Sequence, residues 1–149
     1  MVPKSTPEGG SVDQSSARVR LDLIARAGEA VAHRVEDALR GAHMSVEQWR
    51  VMAHLYEHGG CTMSELSLAA GLTGATLTRM VDRLTTSALA HRNPDPTDRR
   101  RVLVHLSRRG RSQVRQLWPK VQRAEEAAGL AGAEAAELNR LLERMLGAH

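Results

Sequence analysis

The sequence predicts a mainly α fold in which a helix-turn-helix and a two-stranded β wing are flanked by N- and C-terminal helices. Three observations predict it. Apolar residues recur at helical spacing over most of the chain, and two short helical stretches meet at a Gly-containing turn at Gly71. The period then changes to that of strands on either side of a Pro- and Asp-rich turn around Asp95. A length of 149 residues, 42% hydrophobic and 26% charged, suits one compact domain with at most a small appendage.

Residues 1–15 are rich in Pro, Gly, Ser and Thr, which reads as a mobile tail. From Ser16 to Arg40, Ile24, Val31, Val35 and Leu39, helped by Ala27 and Ala38, form the apolar stripe of a long helix that Gly41 ends. Ser45 with Gln48 forms a capping box that opens a second helix to about His58, carrying Trp49, Met52, Ala53 and Tyr56. Val51 and Leu55 lie off that stripe, so this helix is expected to be covered on two sides. Thr62 with Glu65 opens a third helix that buries Met63, Leu66 and Ala69 or Ala70 and stops at Gly71. Thr73 caps the fourth, where Leu77, Met80, Val81 and Leu84 follow the i, i+3, i+4, i+7 pattern.

Leu89 to Arg92 and Arg101 to Leu106 read as strands, the second nearly continuous in branched residues and expected to be covered on both faces. The turn between them, Asn93 to Arg100, makes a hairpin with a basic tip. Ser107 caps a fifth helix with Val114, Leu117, Val121 and Ala124 as its apolar positions, and Pro119 inside it is expected to introduce a kink. Gly129 and Gly132 mark a break before a last helix, from about Ala133 to Leu146. This helix lines up Leu138, Leu141, Leu142, Met145 and Leu146. The organisation expected is a tail over 1–15, a winged helix-turn-helix over 43–106, and a helical pairing region formed by 16–42 with 107–149.

Composition narrows the function classes. No run of 18 apolar residues and no apolar leader occur, so neither a membrane span nor export is expected, and one cysteine fits a reducing cytoplasm. Trp49, Trp118 and Tyr56 are the only aromatics, too few for stacking single-stranded nucleic acid. There is no Gly-rich phosphate loop, Gly-x-Ser-x-Gly elbow or His-Glu-x-x-His, so no catalytic residue and no cofactor are assigned. His54, His58 and Cys61 are the closest-spaced metal donors. His54 and His58 also suit the end of a helix, and three donors at that spacing do not define a site.

The net charge of +4 is unevenly placed. Residues 71–111 hold nine Arg against three Asp, while the rest of the chain is mildly acidic. That is the footprint of a face that binds a polyanion.

Three stretches together resemble the MarR family (multiple antibiotic resistance regulators) of bacterial transcription factors. They are Thr62-Met63-Ser64-Glu65-Leu66, Thr76 to Leu84, and Asp95-Pro96-Thr97-Asp98-Arg99-Arg100 leading into Val104-His105-Leu106-Ser107-Arg108-Arg109-Gly110. The last is similar to the family's wing signature, Asp-x-Arg followed by Leu-Ser/Thr-x-x-Gly. The resemblance covers about residues 17–146. It implies a homodimer whose terminal helices interlock, two winged domains reading a palindromic site, and control by a ligand or by oxidation. Two residues depart from the pattern. Ala88 stands where the family usually has Gly, and Cys61 lies outside the first helix, where the family's peroxide-sensing cysteine sits.

The fourth helix would present Thr73, Ala75, Thr76, Thr78, Arg79 and Arg83 to the major groove, since Arg bonds guanine in a bidentate way and Thr meets thymine methyls or phosphates. The competing reading is a solvated face with Asp82 and Arg83 paired to neighbours. At the wing, the resemblance makes Arg100 the residue inserted into an A·T minor groove and Asp98 the residue that orients it, with Arg99, Arg101 and Arg92 as alternatives. Trp49 and Arg50 could wall a pocket for a phenolic or aromatic acid, against plain core packing for Trp49. The expectation is a repressor that binds double-stranded DNA as a homodimer and is released by a small effector. The rivals are a metal- or thiol-responsive regulator of the same fold and a winged-helix protein-interaction module without DNA binding.

Overall fold

The computed structural model describes residues 18–147, so the tail assigned to 1–15 lies outside the described residues. Six α-helices and one hairpin follow in the order α1 (Leu21–Leu39), α2 (Val46–His58), α3 (Met63–Ala70), α4 (Gly74–Thr86), β1 (Ala90–Pro94), β2 (Val102–Leu106), α5 (Arg108–Glu126) and α6 (Gly132–Leu146). No described helix is long and apolar enough to cross a membrane.

Local chemistry sets most boundaries. Ser45 Oγ accepts the Gln48 amide while Gln48 Oε1 accepts the Ser45 amide, and Thr62 and Glu65 repeat the exchange at α3. Each box satisfies amides that a helix start leaves without partners. Ser107 Oγ accepts the Gly110 amide at 2.9 Å and opens α5.

Other boundaries differ from expectation. Helix α1 starts at Leu21 rather than Ser16, and its N-cap, Arg20, supplies no side-chain acceptor. It also outlasts Gly41 as a short 3-10 turn over Arg40–Ala42, and the left-handed residue that ends it is His43, at φ 51°. Thr73 sits at the N-cap of α4, but its hydroxyl donates to Thr76 Oγ1 at 3.0 Å instead of accepting a helix amide. Strand β1 runs two residues into the predicted turn. Pro94 closes the ladder opposite Val102, an end position where its missing N–H costs little. Strand β2 alternates instead of being covered on both faces, with Val104 and Leu106 buried and Val102 exposed. Helix α5 continues through Pro119 to Glu126, and α6 begins at Gly132.

The core is one cluster in which the end of α1, α2, α3, α4, the wing and α5 converge. Leu39, Val51, Met52, Leu55, Leu66, Leu77, Leu84, Val104 and Val114 are its most enclosed side chains. Helix α2 is buried on two sides, as expected, and Ala70 rather than Ala69 faces inward from α3. The backbone of Cys61 bridges to Val104, pinning the start of the helix-turn-helix to the wing. At Gly110 a Cβ would lie 2.1 Å from the Leu89 carbonyl oxygen, so only glycine lets α5 approach the strand so closely.

Candidate nucleic-acid interface

Helix α4 turns Leu77, Val81 and Leu84 inward and leaves Thr73, Ala75, Thr76, Thr78, Arg79 and Arg83 exposed. Its first turn carries no acidic residue. The Thr76 hydroxyl accepts from Thr73, and the Thr78 hydroxyl donates to the Gly74 carbonyl at 2.8 Å, so both threonines are held close to the helix start. Among the described residues, Arg79 and Arg83 have no acidic partner within salt-bridge distance.

The wing turn is built on two aspartates. Asp95, the single buried polar residue among the described residues, accepts the Thr97 hydroxyl at 2.7 Å, the Thr97 amide at 2.8 Å and the Asp98 amide at 3.4 Å. These bonds, the Thr97 hydroxyl foremost, hold its carboxyl below the usual carboxylate range. Asp98 accepts the Arg100 amide at 3.0 Å through Oδ1, and its carbonyl accepts the Arg101 amide at 2.9 Å. Asp98 thus fixes the backbone of Arg100 and leaves the guanidinium alone. Arg99 and Arg100 are exposed with no ion pair among the described residues.

Two of the expected cationic residues are engaged. Arg92 Nη2 donates to Asp82 Oδ1 at 2.8 Å, joining β1 to the exposed side of α4. Arg101, which closes the wing turn, approaches Glu65 at 3.8 Å and links that turn to α3. The wing is therefore tied to both helices of the helix-turn-helix, and among the described residues Arg99 and Arg100 of its turn stay unpaired. Sequence reasoning missed Asp95 as the organiser of that tip, although its place two residues before Thr97 is an Asx-turn signal.

The sequence-proposed effector pair separates. Trp49 is 6% exposed, and its ring lies 5.8 Å from that of Trp118, which lies 5.8 Å from Tyr56. All three aromatic rings thus form one cluster between α2 and α5, and core packing accounts for Trp49. Arg50 is exposed. Neither residue lines either of two surface cavities. One, of about 460 Å³ between the end of α1 and α5, includes Arg109, Gln113, Leu117 and Lys120; the other, of about 580 Å³, lies between α3 and α4.

His54 and His58 stack with centroids 4.1 Å apart, and burial, then the charge of His58, pushes His54 below its ordinary range. Cys61 is buried, and that burial raises its thiol pKa, which opposes thiolate chemistry. Among the described residues, no three His, Cys, Asp or Glu side chains gather as metal ligands.

The sequence model of the MarR family matches residues 44–101, the segment that builds α2, α3, α4 and most of the wing. A mutant of Escherichia coli MarR complexed with operator DNA has the same fold, with a TM-score of 0.70 and 27% identity over 84% of this chain and 91% of that one. Over this segment the chain matches the MarR family. Bordetella bronchiseptica BpsR, whose DNA binding is regulated by 6-hydroxynicotinic acid, gives a TM-score of 0.72. It is 26% identical, covering 87% of this chain and 94% of that one. The transcriptional repressor IacR of Pseudomonas putida is 28% identical over 122 residues, 80% of this chain and 73% of its own. At the position where MarR proteins usually carry glycine, Ala88 adopts φ 56°, so this chain keeps the left-handed turn without the residue that favours it.

Proposed function

We propose that this protein is a homodimeric transcriptional repressor that grips double-stranded DNA with α4 in the major groove and the wing tip in the adjacent minor groove. One observation carries the reading. The exposed guanidinium groups of Arg79 and Arg83 on α4 and of Arg99 and Arg100 on the wing lack acidic partners among the described residues, while β1 is tied to that same side of α4. Free arginines at two adjoining protrusions suit a duplex, whose grooves alternate, better than they suit a protein partner recognised by apolar anchors. In this reading Arg79 bonds a base edge or a phosphate, Thr73, Ala75, Thr76, Thr78 and Arg83 line the groove, and Arg100 enters the minor groove.

Dimerisation rests on the apolar residues left uncovered at the two ends of the chain. Leu21, Leu23 and Ile24 of α1 and Leu138, Leu141 and Met145 of α6 are exposed. Pairing these helices, from the regions 16–42 and 107–149, would place two winged domains on half-sites about 34 Å apart. A phenolic or aromatic acid is the proposed effector. Leu117 offers it an apolar floor in the α1–α5 cavity, and Arg109 and Lys120 offer charge.

Salt-dependent binding to duplex DNA tests the reading. Affinity is expected to fall steeply as salt rises, and Arg79→Ala to cost about 1–3 kcal/mol on a duplex selected by the parent protein. Affinity indifferent to salt, or an Arg79→Ala protein that binds as the parent does, would refute it.

A further inference from the structure

Asp82 is the single acidic residue of α4, on a helix whose exposed face otherwise carries arginines and threonines. On a helix that enters DNA, a carboxylate repels phosphate, so its presence needs a reason. The structure supplies one: its Oδ1 accepts from Arg92 Nη2 at 2.8 Å across ten residues of sequence. The pair is only partly screened, with side-chain exposures of 57% for Asp82 and 34% for Arg92.

The connection it spans is short. Between α4 and β1 lie Ser87, Ala88 and Leu89, with Ala88 in the left-handed region. The Leu89 amide donates to the Leu84 carbonyl at 2.8 Å, and Ser107 Oγ donates to the Ala88 carbonyl at 2.7 Å. These bonds fix where the wing begins. The direction of the hairpin beyond them is held by Cys61 and Glu65 on the α3 side and by Asp82 on the α4 side.

We infer that Arg92 is a positioning residue and not a DNA contact, and that the Asp82–Arg92 pair sets the distance and angle between the two DNA-reading protrusions. The inference rests on the DNA-binding reading above. Two readers on one rigid piece must meet adjacent grooves together, so a wing that swings free loses the minor-groove contact even while α4 stays seated.

The sign of one substitution separates this from simple electrostatics. Removing the charge of Asp82 by Asp82→Asn should tighten DNA binding if only Coulomb repulsion acts. The pair predicts the reverse, weaker binding by about fivefold, the scale of a partly exposed ion pair. The experiment measures affinity, hydroxyl-radical footprints for the minor groove and dimethyl sulfate protection of guanine N7 for the major groove, on a duplex that the parent protein selects from a random-sequence library. Parent, Asp82→Asn, Arg92→Ala and the charge-reversed double variant Asp82→Arg with Arg92→Asp are compared. The expected result is that both single variants lose protection at the outer minor-groove positions while keeping it in the major groove, and that the reversed pair restores much of both readouts. A variant that only unfolds the protein would lose both protections in proportion. Asp82→Asn binding as tightly as the parent or more tightly, with Arg92→Ala weakened, would make Arg92 a direct phosphate ligand and overturn the inference. A reversed pair that restores nothing would overturn it as well. A parent protein that shows no salt-dependent binding to any duplex would instead remove the reading on which it rests.

Discussion

The winged helix-turn-helix and the outer parts of the terminal helices, the start of α1 and the whole of α6, treat their apolar residues in opposite ways. In the first region, Leu55, Leu66, Leu77 and Val104 are fully enclosed within a single chain. In the second, α6 buries none of its residues, and Leu138, Leu141, Met145 and Leu146 stand in solvent together with Leu21 and Leu23 of α1. The same amphipathic pattern therefore has two outcomes. Where the fold supplies a partner surface the stripe becomes core, and where it supplies none the stripe stays exposed, as the surface that the proposed dimer would cover.

The contrast is broken most severely from the enclosed side. Leu77→Ala, in the middle of α4, is expected to cost about 2–5 kcal/mol of stability in chemical denaturation, through lost burial and the cavity left behind. The paired change Leu138→Glu with Leu141→Glu should instead leave the helical circular dichroism signal intact. It should turn the protein monomeric in sedimentation and weaken binding to a two-half-site duplex by about 100-fold, because the second half-site loses its tether. A smaller effect sharpens the comparison within the enclosed region. Ala88→Gly relieves a left-handed alanine and should raise stability by about 0.5–1 kcal/mol. The mildest concerns the wing turn. The folded-state pKa of Asp95 is depressed, so its stabilisation is present above the ordinary carboxylate range and is lost as the pH falls through the lowered value. Amide exchange or chemical shifts at Thr97 and Asp98 should report loosening at acid pH, and Asp95→Asn should loosen the turn at neutral pH.

How much of this was legible in the sequence follows from the range of each interaction. Capping boxes act over three residues, so Ser45 with Gln48 and Thr62 with Glu65 could be read directly, as could Ser107 before Gly110. The core positions of α2 and α4 followed from helical period. Thr73 misled because its hydroxyl has a second partner in Thr76, a choice that composition does not decide. Trp49 could be placed on α2 but not against Trp118, nearly seventy residues away in the chain. The Asp82–Arg92 pair was likewise hidden, since it joins a helix to a strand through a turn whose geometry depends on Ala88. Of the proposed interface, the exposed arginines of α4 and the wing tip were visible as charge. What holds them in place was not.

In the proposed complex, two copies of the chain read one duplex with four protrusions. The direct measurement is the stoichiometry and footprint of the complex with a duplex selected by the protein. Two chains per duplex are expected, with two protected major-groove patches, each flanked on its outer side by a protected minor-groove patch. One chain per duplex, or protection confined to a single patch, would contradict it.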